Sequence, residues 1–394
     1  MVMLGHLRAM VFVDFSQVSN PGFLVKGFYF LTGLGHEAVV VFFVLSGYFV
    51  GGSVLAAVIS GRFSWSSYGI TRMSRLWVVL VPALVLTMGL DGLGKALVPH
   101  AYGGSFSGQF MSGPSPERPL ASDAVTFLGN LCFLQTVRVP IYGTNSPLWS
   151  LANEFWYYVL FPLLVLFCKY CSGKKALPAV GCLVLFLAIG LMIPRAMLLY
   201  GLIWALGAGA WWVQRRWAGG LERARVPEAR LCSDIDRDSC AASKYRWKQK
   251  VVLGGRVMMG LTLLLSLVGT KQGMGAWSDF AVAVSFAGWL CCSGDGRTSR
   301  LIELVAAGLA NISYTLYVVH FPIMFFLFVT ALKGRQFPQC AEGFLWFAIG
   351  VTVTMACAGF LWWVFERNTG LARRWMCAKL TGVRTGAGCD GQRY

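Results

Sequence analysis

The chain has 394 residues, 56% hydrophobic, 14% aromatic and only 13% charged. A soluble domain carries about 25% charged residues, so the composition excludes an ordinary water-soluble fold and points to a polytopic membrane protein. The net charge of +17, from 34 basic against 17 acidic residues, fits basic cytoplasmic loops. The aromatic residues sit inside the apolar runs, not among the basic clusters, which excludes a base-stacking nucleic-acid surface.

The first apolar run, Met1–Phe15, is shorter than the ~20 residues that cross a bilayer, and it carries His6, Arg8 and Asp14. It is read as a partial first span. Further runs follow at Glu37–Ile59, Leu76–Leu97, Trp149–Cys168, Ala176–Met192, Ala196–Val213, Val251–Thr270, Phe280–Cys292, Ile312–Leu332 and Phe344–Phe365. Segment Ala124–Val137 is apolar but short, and is expected to be re-entrant or interfacial. Leu301–Ala310 leads into the ninth run. The expected fold is all-α, with about ten transmembrane helices and no soluble domain. A membrane domain covers 1–370, with 1–15 its partial first span, and a basic cytoplasmic tail covers 371–394. No basic region with a small-residue cleavage site leads the chain, so no signal peptide is expected.

Basic residues alternate between loops. Arg62, Arg72 and Arg75 follow the second run, Lys169, Lys174 and Lys175 the fourth, Arg215 to Lys250 the sixth, Arg297 and Arg300 the eighth, and Arg367 to Arg384 the last. The intervening loops are poorer, so these basic loops and the C-terminus are assigned to the cytoplasm. The opposite, outer side then holds Leu97–Thr144, rich in Gly, Ser and Pro ("AYGGSFSGQFMSGPSPERP"). Such a loop is either a connector or a lid over an acceptor. Cys168 and Cys171 form a C-x-x-C with no second pair nearby. A zinc site needs four ligands, so free thiols are expected and no metal.

Ionisable groups inside spans are costly and tend to be functional. His6 sits within the first run, Glu154 one turn into the fourth, and His320 in the ninth; His36 and Glu37 open the second. Ser150 and Glu154 are four apart and share a helix face, as do Ser313, Tyr317 and His320. Each stripe can line a polar cavity, and each is equally compatible with helix packing. Arg72 and Arg75 are three apart. They read as ordinary basic flanking or as a fork for phosphate oxygens.

Four segments together resemble the acyltransferase 3 family of integral membrane O-acyltransferases. "GLGHEAVVVFFVLSGYFVGG" resembles its second span and "ITRMSRLWVVLVPAL" its R-x-x-R motif. "NSPLWSLANEFWYYVLFPLL" resembles its W-S-L-x-x-E-x-x-Y-x-x-x-P segment. "LANISYTLYVVHFP" resembles its I-S-Y-x-x-Y-x-x-H-x-P segment. Their order and spacing also agree. The family has a first-span motif of a basic residue, ten residues and a histidine. "VMLGHLRAM" aligns with the end of that motif, which makes His6 the family histidine. Its basic partner would lie upstream of Met1. Ser19 stands where Arg8 would need a histidine, and Lys26 misses His36 by one position. The expectation is a reading frame that continues upstream, or a motif that has lost its first half.

The resemblance implies an enzyme of the cytoplasmic (inner) membrane. Such enzymes move an acyl group, usually acetyl from acetyl-CoA, to a hydroxyl of a carbohydrate, most often a surface polysaccharide or its precursor. Acyl-CoA is then a donor substrate and no cofactor is implied. His6 is expected to be the general base or to carry the acyl group covalently, with Glu154 orienting it. Arg72 and Arg75 suit the CoA phosphates. His36, Trp149, Ser150, Ser313, Tyr317 and His320 are expected to line the acceptor side. The rival readings are a transporter or flippase without acyl chemistry, and an inactive truncated relic.

Overall fold

The computed structural model describes residues 1–110, 112–225, 253–270, 276–293 and 299–381. Among them the chain is helical, with extended backbone paired only in isolated bridges. The helices are α1 (Val2–Val11), α2 (Phe23–Thr32), α3 (Gly35–Ser46), α4 (Gly52–Ile59), α5 (Trp65–Leu97), α6 (Pro99–Tyr102), α7 (Ala124–Leu131) and α8 (Leu148–Ser172). They continue with α9 (Ala176–Met192), α10 (Arg195–Arg225), α11 (Leu253–Gly269), α12 (Ala276–Cys291), α13 (Arg300–Thr330), α14 (Ala341–Val364) and α15 (Thr369–Thr381). A π turn, Gly47–Gly51, joins α3 to α4.

Every predicted run falls on a helix. Among the described residues, 6 helices are long and apolar enough to cross a membrane: Gly35–Ile59, Trp65–Leu97, Leu148–Ser172, Arg195–Trp217, Ala306–Thr330 and Ala341–Leu380. The other predicted runs form apolar helices of 10–17 residues, so helix length alone does not reach the expected count. Helix α2 was not predicted, because Lys26 and Gly27 interrupt its apolar run. Leu301–Ala310 leads into the ninth run as the first third of the continuous α13. Ala124–Val137 is helical only to Leu131. The predicted tail begins as helix α15, which packs on α5. Arg246, Lys248, Lys250, Val251, Lys271, Arg297 and Arg384 lie outside the described residues.

The chain divides into two compact units, Met1–Ala38 with Phe63–Trp156 and Thr298–Tyr394, and Val39–Arg62 with Tyr157–Arg297. In the first unit α13 packs against α5, α14 and α1. Met3, Leu7, Met10 and Val11 of α1 and Phe321, Met324, Phe325 and Phe328 of α13 are buried in one core. Both sets recur at three- and four-residue steps, which places them on one helix face. The end of α1 is fastened to the α13–α14 connection. Val13 N–H donates to Phe337 O at 3.0 Å and Phe337 N–H to Val11 O at 2.8 Å. Gln336 Nε2 donates to Ala9 O at 2.7 Å. The register of α1 on α13 is thereby fixed, and with it the position of His6.

The long loop of this unit is folded. Asp91 of α5, 2% exposed, accepts from Thr144 N–H at 2.8 Å and Thr144 Oγ1 at 2.7 Å. Gly143 between them has φ +56°, and a Cβ there would lie 2.1 Å from Asp91 Oδ2; only glycine fits both demands. Asn130 donates to Thr126 O and Pro140 O and accepts from Tyr142 N–H. Asp123 caps α7 through Thr126 N–H, which holds its carboxyl below the usual range.

In the second unit the π turn and α4 lie on α10. Gly47 and Gly51 form a G-x-x-x-G step, and such small residues let helix backbones approach closely. A Cβ on Gly47 would lie 1.8 Å from Trp204 O, and one on Gly207 would lie 1.9 Å from Val44 O. The Trp204 indole donates to Ser46 Oγ at 3.1 Å.

Candidate active site

The predicted site residues that gather all belong to the first unit. His6 projects from α1 onto α13. Its ring centre is 5.4 Å from that of His320 and 5.1 Å from that of Phe321, the latter edge-on. Tyr317 lies on the other side of His320, with ring centres 5.9 Å apart. Tyr317 and His320 are three apart on one helix face, as the spacing predicted.

The neighbouring polar groups form a string. Ser150 of α8 donates to Pro147 O at 3.2 Å. The hydroxyls of Ser150 and Tyr317 are 2.6 Å apart, a hydrogen bond that either can donate. Glu154, one turn further along α8, is 5% exposed and acts electrostatically on the hydroxyls of Tyr317 and Tyr68. Arg72 of α5 lies over the Tyr68 ring, 5.5 Å from its centre, and bonds its hydroxyl. Arg72, Tyr68, Glu154, Tyr317 and Ser150 thus form one buried polar series, which His320 and His6 extend as adjacent rings. A buried charge is stable only when paired or hydrogen-bonded, and in this series Arg72 bonds the Tyr68 hydroxyl.

The His320 ring is held in one orientation. Its Nδ1 lies 2.7 Å from Tyr317 O and 3.1 Å from Leu316 O. Carbonyls only accept, so Nδ1 carries the proton and Nε2 the lone pair.

Other predicted residues are placed differently. Arg75 is exposed while Arg72 is buried, so the pair does not present a common fork; Arg75 acts on Glu366, which accepts from the N–H and hydroxyl of Thr315 in α13. Ser313 is exposed and donates back to Ala310 O at 2.8 Å. His36 is exposed at the start of α3, and Trp149 is half-buried at the start of α8. Cys168 and Cys171 are free and exposed.

Sequence reasoning missed several residues. Asn145, fully buried, donates to Thr87 Oγ1 at 3.0 Å and to Val318 O at 2.9 Å, tying the entry to α8 onto α5 and α13. Asp91 is an acid inside a predicted span, and the rule that selected Glu154 would have found it. Tyr68 gave no signal, because it precedes the apolar run. Beside this entry segment lies a cleft of about 600 Å³, lined by Ser112, Arg118, Thr136, Thr144 and Ser146 among others. Ser146 lies in the turn just before α8, four residues before Ser150.

A family model described as an acyltransferase domain matches residues 1–363. No curated protein and no solved structure matches the chain.

Proposed function

The chain belongs to the acyltransferase 3 family of membrane acyltransferases, and on that premise we propose that it moves an acyl group from acyl-CoA to a carbohydrate hydroxyl at the cytoplasmic (inner) membrane. Acetyl is the group we assign to the donor, and a cell-surface polysaccharide or its precursor is the acceptor class. What supports the reading is the buried series from Arg72 to Ser150, with His6 and His320 as adjacent rings beside it.

In this reading His6 is the general base. The acceptor hydroxyl gives its proton to His6 as its oxygen attacks the thioester carbonyl. The C–O bond forms, the C–S bond breaks, and His6 returns the proton to the departing CoA thiolate. Glu154 is the negative charge that steadies the transient imidazolium through the Tyr317 hydroxyl. The acceptor approaches by way of the cleft at Arg118, Thr144 and Ser146, and the donor from the end of the bundle that carries Arg75.

The test separates the two arginines. Arg75 is exposed, so Arg75→Ala is expected to raise the KM for acetyl-CoA about 10-fold, one lost charge-assisted phosphate contact, with kcat nearly unchanged. Arg72→Ala removes the partner of Tyr68 and is expected to lower kcat as well. Lys at either position restores function only in part, because an ammonium cannot form a fork. Wild-type KM in Arg75→Ala removes the donor-binding assignment.

Glu154→Gln keeps the shape and removes the charge. Thiol release from acetyl-CoA is expected to fall about 10- to 100-fold, less than the roughly 10²- to 10⁴-fold for loss of the acid–base group itself, at normal yield in the membrane. Normal turnover would make Glu154 a packing residue.

A further inference from the structure

His320 has one nitrogen whose use the fold does not explain. Nδ1 is committed to the Leu316 and Tyr317 carbonyls. Nε2 is a lone-pair acceptor in a residue with no exposure, and it has no hydrogen-bond partner. Leaving a buried acceptor without a donor is costly, so a packing histidine is a poor choice here. A methionine or leucine would fill the space without that penalty. The ring beside His320 is His6, tilted 31° with centres 5.4 Å apart. A ring nitrogen stands ~1.2 Å from its ring centre, so a turn of the His6 ring that aims one of its nitrogens at Nε2 would bring the two to ~3 Å, a hydrogen-bond distance.

We propose that His320 is the positioning residue of His6: its Nε2 accepts the N–H of His6 and so fixes which His6 nitrogen faces the acceptor hydroxyl. The inference rests on His6 being the base. The Leu316 and Tyr317 carbonyls set the His320 tautomer, His320 sets the His6 tautomer, and the free lone pair of His6 meets the substrate. His320 neither gains nor loses a proton. The acceptor proton goes to the other nitrogen of His6 and from there to the CoA thiolate. This is the orienting role that a third group has behind a catalytic base, here performed by a neutral ring. A neutral partner suits an apolar bundle, where a second carboxylate would need its own counter-charge.

The experiment uses purified full-length protein in detergent. The readout is thiol release from acetyl-CoA, with methyl glucoside and water as acceptors. His320→Ala is expected to lower kcat ~100-fold, within the range for base catalysis, with KM for acetyl-CoA within a few-fold of wild type. Two amides then separate positioning from packing. In His320→Gln the amide oxygen reaches the place of Nε2 and can accept from His6. In His320→Asn the amide reaches only the place of Nδ1 and restores only the bonds to the carbonyls. The proposal expects Gln to recover most of the lost kcat and Asn to recover none. Recovery by Asn and not by Gln, or by both equally, overturns it and makes His320 structural. Full activity in His320→Ala overturns it as well. The reading beneath it fails separately: thiol release by wild type that is no faster than by His6→Ala removes His6 as the base, whatever His320 does.

Discussion

His6→Ala is expected to lower turnover by roughly 10²- to 10⁴-fold, the range for loss of a positioned general base. The variant should still insert and still bind acyl-CoA. The reason lies in its packing. The buried face of α1 is made by Met3, Leu7, Met10 and Val11, and His6 itself is only half-buried. The helix is held at its far end by Val13, Phe337 and Gln336, none of which involves His6. Removing the imidazole therefore takes away a base and little of the core. A ligand with no bearing on chemistry would give the opposite pattern, a raised KM with unchanged kcat. Turnover within 3-fold of wild type would end the role assigned to His6. A fall in yield that matches the fall in activity would assign it to folding.

Gly207→Val is expected to abolish the folded protein. The substituted Cβ would lie 1.9 Å from Val44 O and 2.7 Å from Tyr48 N. Both are backbone atoms, so no rotamer change relieves the clash. Ordinary overpacking costs about 1–3 kcal/mol because side chains can shift; here two helices must separate. Separation would also break the Trp204–Ser46 bond. Gly209, two residues on in the same helix, is the control, since a Cβ there meets nothing within 4 Å. Gly209→Val should leave the melting temperature in detergent within a few degrees of wild type. A Gly207→Val protein that purifies monodisperse and melts like wild type would refute the close approach.

The fold was readable because apolar runs must be helical in lipid. Each predicted run became a helix, from Val2–Val11 to Ala341–Val364. Less readable was whatever depends on partners distant in sequence. The spacing of Ser313, Tyr317 and His320 placed all three on one face, but nothing in it showed that Ser313 would be exposed and bonded back to Ala310 O. The i, i+3 spacing of Arg72 and Arg75 suggested a shared fork; Tyr68 and Glu366 draw them to different neighbours. The Gly/Ser/Pro-rich loop read as a connector or a lid. Its order comes from Asp91, Asn130 and Asn145, whose partners lie up to 173 positions away. Composition carries no record of such pairings.

The π turn at Gly47–Gly51 has a consequence for chain length. A π turn holds one residue more than an α turn, and one residue is about 100° of helix rotation. That extra residue lets Gly47 meet Trp204, Gly51 meet Ala208 and Gly52 meet Trp211, three points on one side of α10. Deleting a residue between Val44 and Gly52 would barely shorten the helix, yet it would turn one half out of phase with the other. Both halves could not then lie on α10. Substitution at Phe49, 66% exposed, carries no such penalty. Along this stretch the chain is free to change its letters and bound to keep their number.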